Sequence, residues 1–260
     1  MVADVDLAIA APATVLALDT TTSRGSAAVW RHGHEPAILA TAPDRSYGEQ
    51  LPGLLATLLE QQGLGFRDVE LFAVAAGPGS LTGLRVGIAT VQGLAVATRR
   101  PVVAVTALDA LAVAALETGP GCRRTIGACM NAFRGEVFAA LYRTPASDDA
   151  EEPSVVDPPG VGYPAEVAVR WRALAEASDL IVVGDSVPAF SESLDGVLGP
   201  GVRFQPGPLL AGIVARMARA RALRGGAVAP HAVHPVYLRR PDAEVARERG
   251  AAPRVRITEP

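Results

Sequence analysis

The residues with the clearest chemical potential form a glycine-rich segment, Gly77–Gly87, which reads Gly-Pro-Gly-Ser-Leu-Thr-Gly-Leu-Arg-Val-Gly. A short apolar strand pattern precedes this segment, and a helix pattern follows it. Glycines at such a junction let the backbone approach a ligand closely, and the free N–H groups of a helix start attract anions. Gly77, Gly79 and Ser80 are therefore candidates for binding a phosphate group. The alternative is a tight turn that only docks the helix on its sheet, and spacing alone leaves both open.

The composition limits the chemistry further. All 24 basic residues are arginines, and the formal net charge is −3. Without lysine the chain can form neither a Walker A phosphate loop nor a Schiff base. The charge balance gives no overall basic footprint for nucleic acid. With 260 residues, 49% of them hydrophobic, the chain predicts one large globular domain or two lobes.

Metal and disulfide chemistry have little support in the sequence. Cys122 and Cys129 match neither a Cys-x-x-Cys pair nor a zinc knuckle, so we expect neutral thiols in a reducing compartment. The histidines fall in a predicted turn and a proline-rich loop, which predicts solvated side chains without a metal; they are His32, His34, His231 and His234. The start of the chain is acidic and no stretch is apolar enough for a membrane span. We therefore expect a cytoplasmic protein.

Hydrophobic periodicity predicts the elements that position these residues. Three short strands come first and read as an antiparallel meander, followed by an amphipathic helix, and then by strands and helices in alternation. This order, β-β-β-α-β-α-β-α, predicts an α/β fold with mixed sheets and helices on their faces. The predicted bounds are strands 14–18, 26–30, 38–41, 71–76 and 102–105, and helices 47–62, 82–98 and 107–117.

The second half is less regular. We predict strands at 125–130, 136–142 and 180–183, and helices at 164–177 and 209–223. A Thr-Gly-Pro-Gly break at residues 118–121 suggests a lobe boundary. The predicted organisation is an N-terminal extension (1–13), an N-terminal lobe (14–118), a C-terminal lobe (119–240) and a C-terminal tail (241–260).

Four segments taken together resemble the bacterial TsaB family, formerly called YeaZ. The segment that contains the glycine-rich turn is specific, whereas the first and third segments are weak alone. The resemblance covers nearly the whole chain and is carried by Leu16–Thr20, Gly77–Ala95, Arg134–Phe138 and Pro235–Arg239.

The resemblance implies a two-lobed actin-like ATPase (ASKHA, RNase H-like) fold. It also implies a role in making threonylcarbamoyladenosine at position 37 of tRNA. In that system a TsaB protein is a non-catalytic scaffold that pairs as a heterodimer with its catalytic paralogue TsaD, and the ATPase TsaE joins them. Contact with tRNA is then indirect, through the complex, and the isolated chain is a possible homodimer.

Departures from the superfamily pattern bear on catalysis. A glycine normally follows the first acidic residue closely to present N–H groups to phosphates. Here Asp19 is followed by Thr-Thr-Thr-Ser-Arg before Gly25. Asn131 occupies a position that is usually Asp and is a poorer Mg²⁺ ligand, while Phe133 replaces a typical Arg. We therefore expect no cofactor of its own, with ATP or ADP bound only together with partners. An autonomous ATPase or phosphotransferase that uses Asp19 is the alternative.

The resemblance also implies a partner interface on the two helices of the first lobe. The alternative is that both helices bury their apolar stripes in their own lobe. The candidate interface residues are Leu51, Leu55, Leu58, Gly83, Arg85, Gly87 and Gln92. The C-terminal arginines could contact tRNA phosphates or an acidic patch of a partner, but interleaved glutamates favour a solvated tail. These arginines are Arg239, Arg240, Arg247 and Arg249.

Overall fold

The computed structural model describes residues 11–42, 46–116, 124–144, 152–175 and 179–239. Within these ranges the chain forms ten strands and six α-helices. The strands are β1 Thr14–Asp19, β2 Ser26–Arg31, β3 Ala37–Ala40, β4 Leu71–Ala75, β5 Val102–Val105, β6 Thr125–Asn131, β7 Val137–Arg143, β8 Ser154–Gly162, β9 Leu180–Gly184 and β10 Arg203–Pro206. The helices are α1 Tyr47–Gln61, α2 Leu81–Thr98, α3 Ala107–Leu116, α4 Pro164–Leu174, α5 Val187–Leu198 and α6 Ala211–Leu223.

The two halves of the chain repeat one topology. The sheet orders are β3-β2-β1-β4-β5 and β8-β7-β6-β9-β10. In each sheet the first three strands form an antiparallel meander, and the last two add in parallel to the first strand. The predicted meander, the mixed sheets and the element order of the first half are confirmed.

Five layers build the molecule because both faces of each sheet are apolar. Val15 and Ala17 of β1 point into a central core that lies between the two sheets. Leu16 and Leu18 point the other way, into a core under α1 and α2. A third core packs α4 and α5 against the second sheet. The alternation along β1 therefore assigns its side chains to two different cores.

The two helices between the sheets, α3 and α6, each pack on the sheet of the other half of the chain. α3 follows the first sheet but packs on β6 and β9 of the second, whereas α6 follows the second sheet but packs on β1 and β2 of the first. Residues 211–223, which we predicted as part of the C-terminal lobe, thus contribute their packing to the N-terminal sheet. The predicted boundary near 118 and the tail 241–260 lie outside the described residues.

Three elements were missed from the sequence. β8 contains two adjacent prolines and β10 ends in one, so both read as loops. They are the two edge strands of the second sheet, where proline is tolerated because one side of the strand has no ladder partner. α5 carries Pro188 and Gly196, which weaken the helix pattern, but its buried Leu194 and Leu198 anchor it to the second sheet.

An ion-pair network joins the central helices, and we expect its removal to be costly. Arg221 of α6 lies 3.0 Å from the Asp109 carboxylate and 2.5 Å from that of Glu152, while the Tyr142 hydroxyl donates to Asp109 at 2.9 Å. Arg221→Met leaves two half-buried carboxylates without this cation and should lower the free energy of unfolding by about 2 kcal/mol in urea titrations. Arg224→Met is the matched control, because Arg224 pairs with the same Glu152 but is 55% exposed; we expect a loss below about 1 kcal/mol. Equal losses of unfolding free energy in the two variants would show that Arg221 does not stabilise the central helices through this network.

Candidate functional site

The glycine-rich turn packs α2 tightly onto the loop after β1. Gly77 has φ 119° and lies under the C-terminal segment, where a Cβ would come 2.7 Å from the carbonyl oxygen of Val236. A Cβ at Gly79 would overlap Thr21, and one at Gly83 would overlap the carbonyl oxygen of Thr20. These glycines are needed for close approach of one part of the chain to another.

Hydrogen bonds in this turn involve Ser80, one of the residues that we considered for phosphate binding. The Ser80 N–H donates to the carbonyl oxygen of Thr21 at 2.7 Å, and the Ser80 hydroxyl accepts from the Gly83 N–H at 3.3 Å. The Thr20 hydroxyl donates to the carbonyl oxygen of Gly83 at 2.8 Å. These contacts favour the alternative of a structural junction, because the N–H groups of Ser80 and Gly83 are bonded within the chain.

Asp19 ends β1 at the cleft between the lobes and is 2% exposed. Its Oδ1 accepts from the Thr21 N–H at 2.9 Å and from the Thr21 hydroxyl at 2.6 Å. Burial raises the pKa of the Asp19 carboxyl, hydrogen bonds from Thr21 oppose this shift, and the charge of Asp185 adds to it. The fold therefore holds an acidic group that is costly to ionise.

Asp185 is the residue of this cleft that the sequence interpretation missed. It follows β9, and its Oδ1 accepts from the backbone N–H of Asn131, which ends β6, at 3.0 Å. Since β6 and β9 are parallel, their carboxyl ends meet at one edge of the sheet. The sequence signal was present in Val-Val-Gly-Asp, where an acidic residue directly follows a buried strand.

The acidic cleft does not fit a nucleotide in this structure. Asp19 and Asp185 line a cavity of only ≈ 90 Å³. Pockets for small molecules and cofactors usually measure about 300 Å³ or more. Gly79 and Ser80 line a separate groove of ≈ 350 Å³, so the structure divides the residues that we predicted to share a phosphate site. Among the described residues, no group of three or more His, Cys, Asp or Glu side chains could hold a metal ion.

Asp19→Asn should stabilise the protein near neutral pH. The pKa of Asp19 in the folded chain is raised above the ordinary 3.8, so ionisation of this carboxyl destabilises the fold. The penalty is complete above the folded-state pKa and disappears as the pH falls below 3.8, where the carboxyl is protonated in both states. Asn keeps an acceptor for Thr21, so we expect the melting temperature at pH 7.5 to rise by about 2–4 °C. The difference should shrink towards pH 4. A lower melting temperature of the variant at pH 7.5 would contradict this account.

Most of the candidate interface residues are buried and contact other parts of the same chain. Leu51, Leu55 and Leu58 are each 1% exposed and form the stripe of α1 that faces the first sheet. Gly83 and Gly87 are buried against Thr20. The three leucine side chains and both glycines are buried within their own lobe, which favours the alternative that both helices bury their apolar stripes in that lobe.

Two further candidates on α2 differ in exposure. The Gln92 amide donates to the carbonyl oxygens of Pro230 and Val233 at 2.9 and 3.1 Å, so it fastens the C-terminal segment. Arg85 is exposed, and its Nε lies 3.4 Å from the Tyr237 hydroxyl. Arg239 pairs with Glu136 and is anchored, whereas Arg240, Arg247 and Arg249 lie outside the described residues.

A different surface of these helices is exposed, and we name it the α1–α2 face. It is the side of both helices that points away from the sheet, and it carries small and apolar residues, with the exposed Glu49 and Glu60 on the same row of α1. Its residues are Pro52, Gly53 and Ala56 of α1 and Ala89, Gly93 and Val96 of α2. The small residues of the α1–α2 face allow close backbone approach, which suits helix packing.

The described cysteine is buried, and the first histidine lies in a turn, as the sequence predicts. Cys129 is a buried free thiol, and burial raises its pKa to about 12. His32 lies in the turn after β2 with its ring 6.0 Å from that of Trp30. Cys122 lies outside the described residues. The Cys129 thiol is therefore neutral near pH 7 and is no nucleophile.

The repeated strand order and the acidic cleft between the two sheets define a protein of the two-lobed, actin-like class. A family model described as TsaD, tRNA N6-adenosine threonylcarbamoyltransferase, matches residues 38–247. The structure of YeaZ from Pseudomonas aeruginosa is similar, with a TM-score of 0.71 and 30% identity over 87% of this chain and 100% of that one. The chain belongs to the TsaB (YeaZ) family.

Two named bacterial relatives match about half of this chain. The tRNA threonylcarbamoyladenosine biosynthesis protein TsaB of Escherichia coli (strain K12) is 33% identical over 129 residues, which are 50% of this chain and 54% of that protein. The protein of the same name from Haemophilus influenzae is 35% identical over 140 residues, which are 54% and 58%. The matched segment thus spans little more than half the length of these relatives.

Proposed function

We propose that this chain is the non-catalytic scaffold subunit that activates a catalytic TsaD paralogue in the threonylcarbamoylation of adenosine 37 of tRNA. Membership of the TsaB (YeaZ) family and the printed names of its relatives support this assignment. Pairing is heterodimeric, TsaE joins the pair, and tRNA is contacted through the complex in the cytoplasm.

The α1–α2 face is the observation that carries the proposal. α2 has a mean hydropathy of 1.3 over 18 residues, yet only 33% of that window is buried. By length and composition alone it is the one helix of the described residues that could cross a membrane. It packs on β4 and also contacts α1, however, while Ala89, Gly93 and Val96 stay exposed. A partner helix pair that covers this face accounts for an apolar helix at the surface.

The closed acidic cleft supports a role without independent catalysis. Its ≈ 90 Å³ is well below the about 300 Å³ that small-molecule pockets usually measure, and Thr21 already bonds to Asp19. We propose that any ATP or ADP is held only together with partners. The autonomous ATPase alternative requires the cleft to open.

Copurification with the TsaD paralogue of the same host, followed by size-exclusion chromatography with light scattering, tests the proposal. We expect a stable one-to-one complex and no ATP turnover by the isolated chain. A homodimer of the isolated chain that dissociates when the paralogue is added would agree with a shared face. Absence of a complex, together with ATP turnover by the chain alone, would replace the scaffold with an enzyme.

A further inference from the structure

A groove between the lobes lies next to the α1–α2 face. We call it the inter-lobe groove: it measures ≈ 350 Å³ and is lined by the start of α2, the β6–β7 turn and the C-terminal segment. Leu81, Phe133 and Tyr237 come from these three segments and are 51%, 59% and 46% exposed. Large apolar side chains rarely gather at one exposed place in a monomer without a ligand.

The conformation of the β6–β7 turn adds to this observation. Phe133 has φ 61° and Arg134 has φ 57°, so two consecutive residues with side chains adopt the left-handed region. The Asn131 side chain fixes the turn by accepting from the Phe133 N–H at 2.8 Å, and the Glu136 N–H donates to the carbonyl oxygen of Phe133 at 3.0 Å. An unfavourable backbone thus presents a solvent-exposed phenyl ring, a combination that points to binding.

The charge at the rim limits the chemistry of the occupant. The Arg85 guanidinium contacts the Tyr237 hydroxyl, and no ion pair joins it to a carboxylate of the described residues. Arg239, on the same groove, is already neutralised by Glu136. An occupant that fits therefore carries an apolar group for the aromatic lining and a carboxylate for Arg85.

The position of the groove favours a protein as the occupant. Leu81, Arg85, Ala89 and Gly93 follow one another along α2 at intervals of four residues, so they form a row of neighbours that winds from the groove to the α1–α2 face. A partner that covers the α1–α2 face therefore reaches the groove without a break.

We infer that the inter-lobe groove receives a segment of that partner, which presents an aromatic or aliphatic side chain next to an Asp or Glu. The inference rests on the proposed function and extends the interface from helix packing to a peptide pocket.

Two substitutions in the full-length chain test this inference by calorimetric titration with the full-length TsaD paralogue. Phe133→Gly suits the left-handed backbone, so we expect a higher melting temperature together with a complex weakened by about tenfold or more. Arg85→Glu should weaken the complex by a similar factor, more at low salt than at high salt. Val155→Ser removes an apolar group that is 53% exposed on β8, away from the groove, and should leave affinity unchanged.

The outcomes separate this inference from the function on which it rests. Weakening by both groove variants, with normal affinity for Val155→Ser, supports the inference. Unchanged partner affinity in Phe133→Gly and Arg85→Glu overturns it, and if Gly93→Arg still disrupts the complex, the scaffold function stands. If the groove variants bind the partner normally but their complex binds tRNA more weakly, the groove binds RNA and the inference is overturned as well. No complex with the unaltered chain would reject the proposed function itself.

Discussion

Gly93→Arg is expected to disrupt the complex with the TsaD paralogue while the chain remains folded. Gly93 is exposed in the middle of the α1–α2 face, and a Cβ there meets nothing within 4 Å. Arginine has a better helix propensity than glycine, so the isolated chain should be slightly more stable. In the complex its charge would be desolvated against a packed helix, and we expect affinity to fall by at least about 100-fold, or ~2.7 kcal/mol.

Gly196→Arg is the matched control for this experiment. Gly196 is an exposed helical glycine of α5 with nothing within 4 Å of a Cβ, and it lies in the outer layer of the second lobe. The same charge added there should leave affinity within a factor of about two. Equal binding by both variants would show that the α1–α2 face is not the interface. Leu55→Arg and Gly87→Arg are unsuitable probes because both positions are buried and would report on folding.

Gly83→Ala should destabilise the chain more than any other single methyl addition to α2. The new Cβ would overlap the carbonyl oxygen of Thr20, a backbone atom that is itself fixed because the Thr20 hydroxyl donates to Gly83. The helix must shift away from the β1 loop, and the Ser80 bond to Thr21 is strained with it. We expect a loss of about 3 kcal/mol in the free energy of unfolding, measured by urea titration.

Gly93→Ala on the same helix provides the comparison. The substitution is chemically identical, but the site is open, so the higher helix propensity of alanine should raise stability by about 0.5–1 kcal/mol. Opposite signs at the two positions would demonstrate the tight docking of α2 on the β1 loop. If alanine is tolerated equally well at both positions, the close approach at Gly83 is not present in solution.

The sequence by itself determined most of the first half of the fold. Apolar residues at intervals of two or of three to four mark a buried face directly, so the meander β1–β3, the leucine stripe of α1 and the course of α2 could be predicted. The family also followed from local motifs such as the glycine-rich turn. The prolines of β8 and β10 hid these strands, because periodicity cannot show that a strand lies at a sheet edge.

Only the tertiary structure decided what each buried face contacts. A stripe of leucines on α1 is compatible with either its own sheet or a partner, and the packing placed it on the sheet while leaving Pro52, Ala56 and Gly93 outside. Asp19 and Asp185 line one cleft although they lie in opposite halves of the sequence. The exchange of α3 and α6 between the sheets depends on the same long-range packing. Local patterns encode burial, whereas the identity of the neighbour arises only when distant segments pack together.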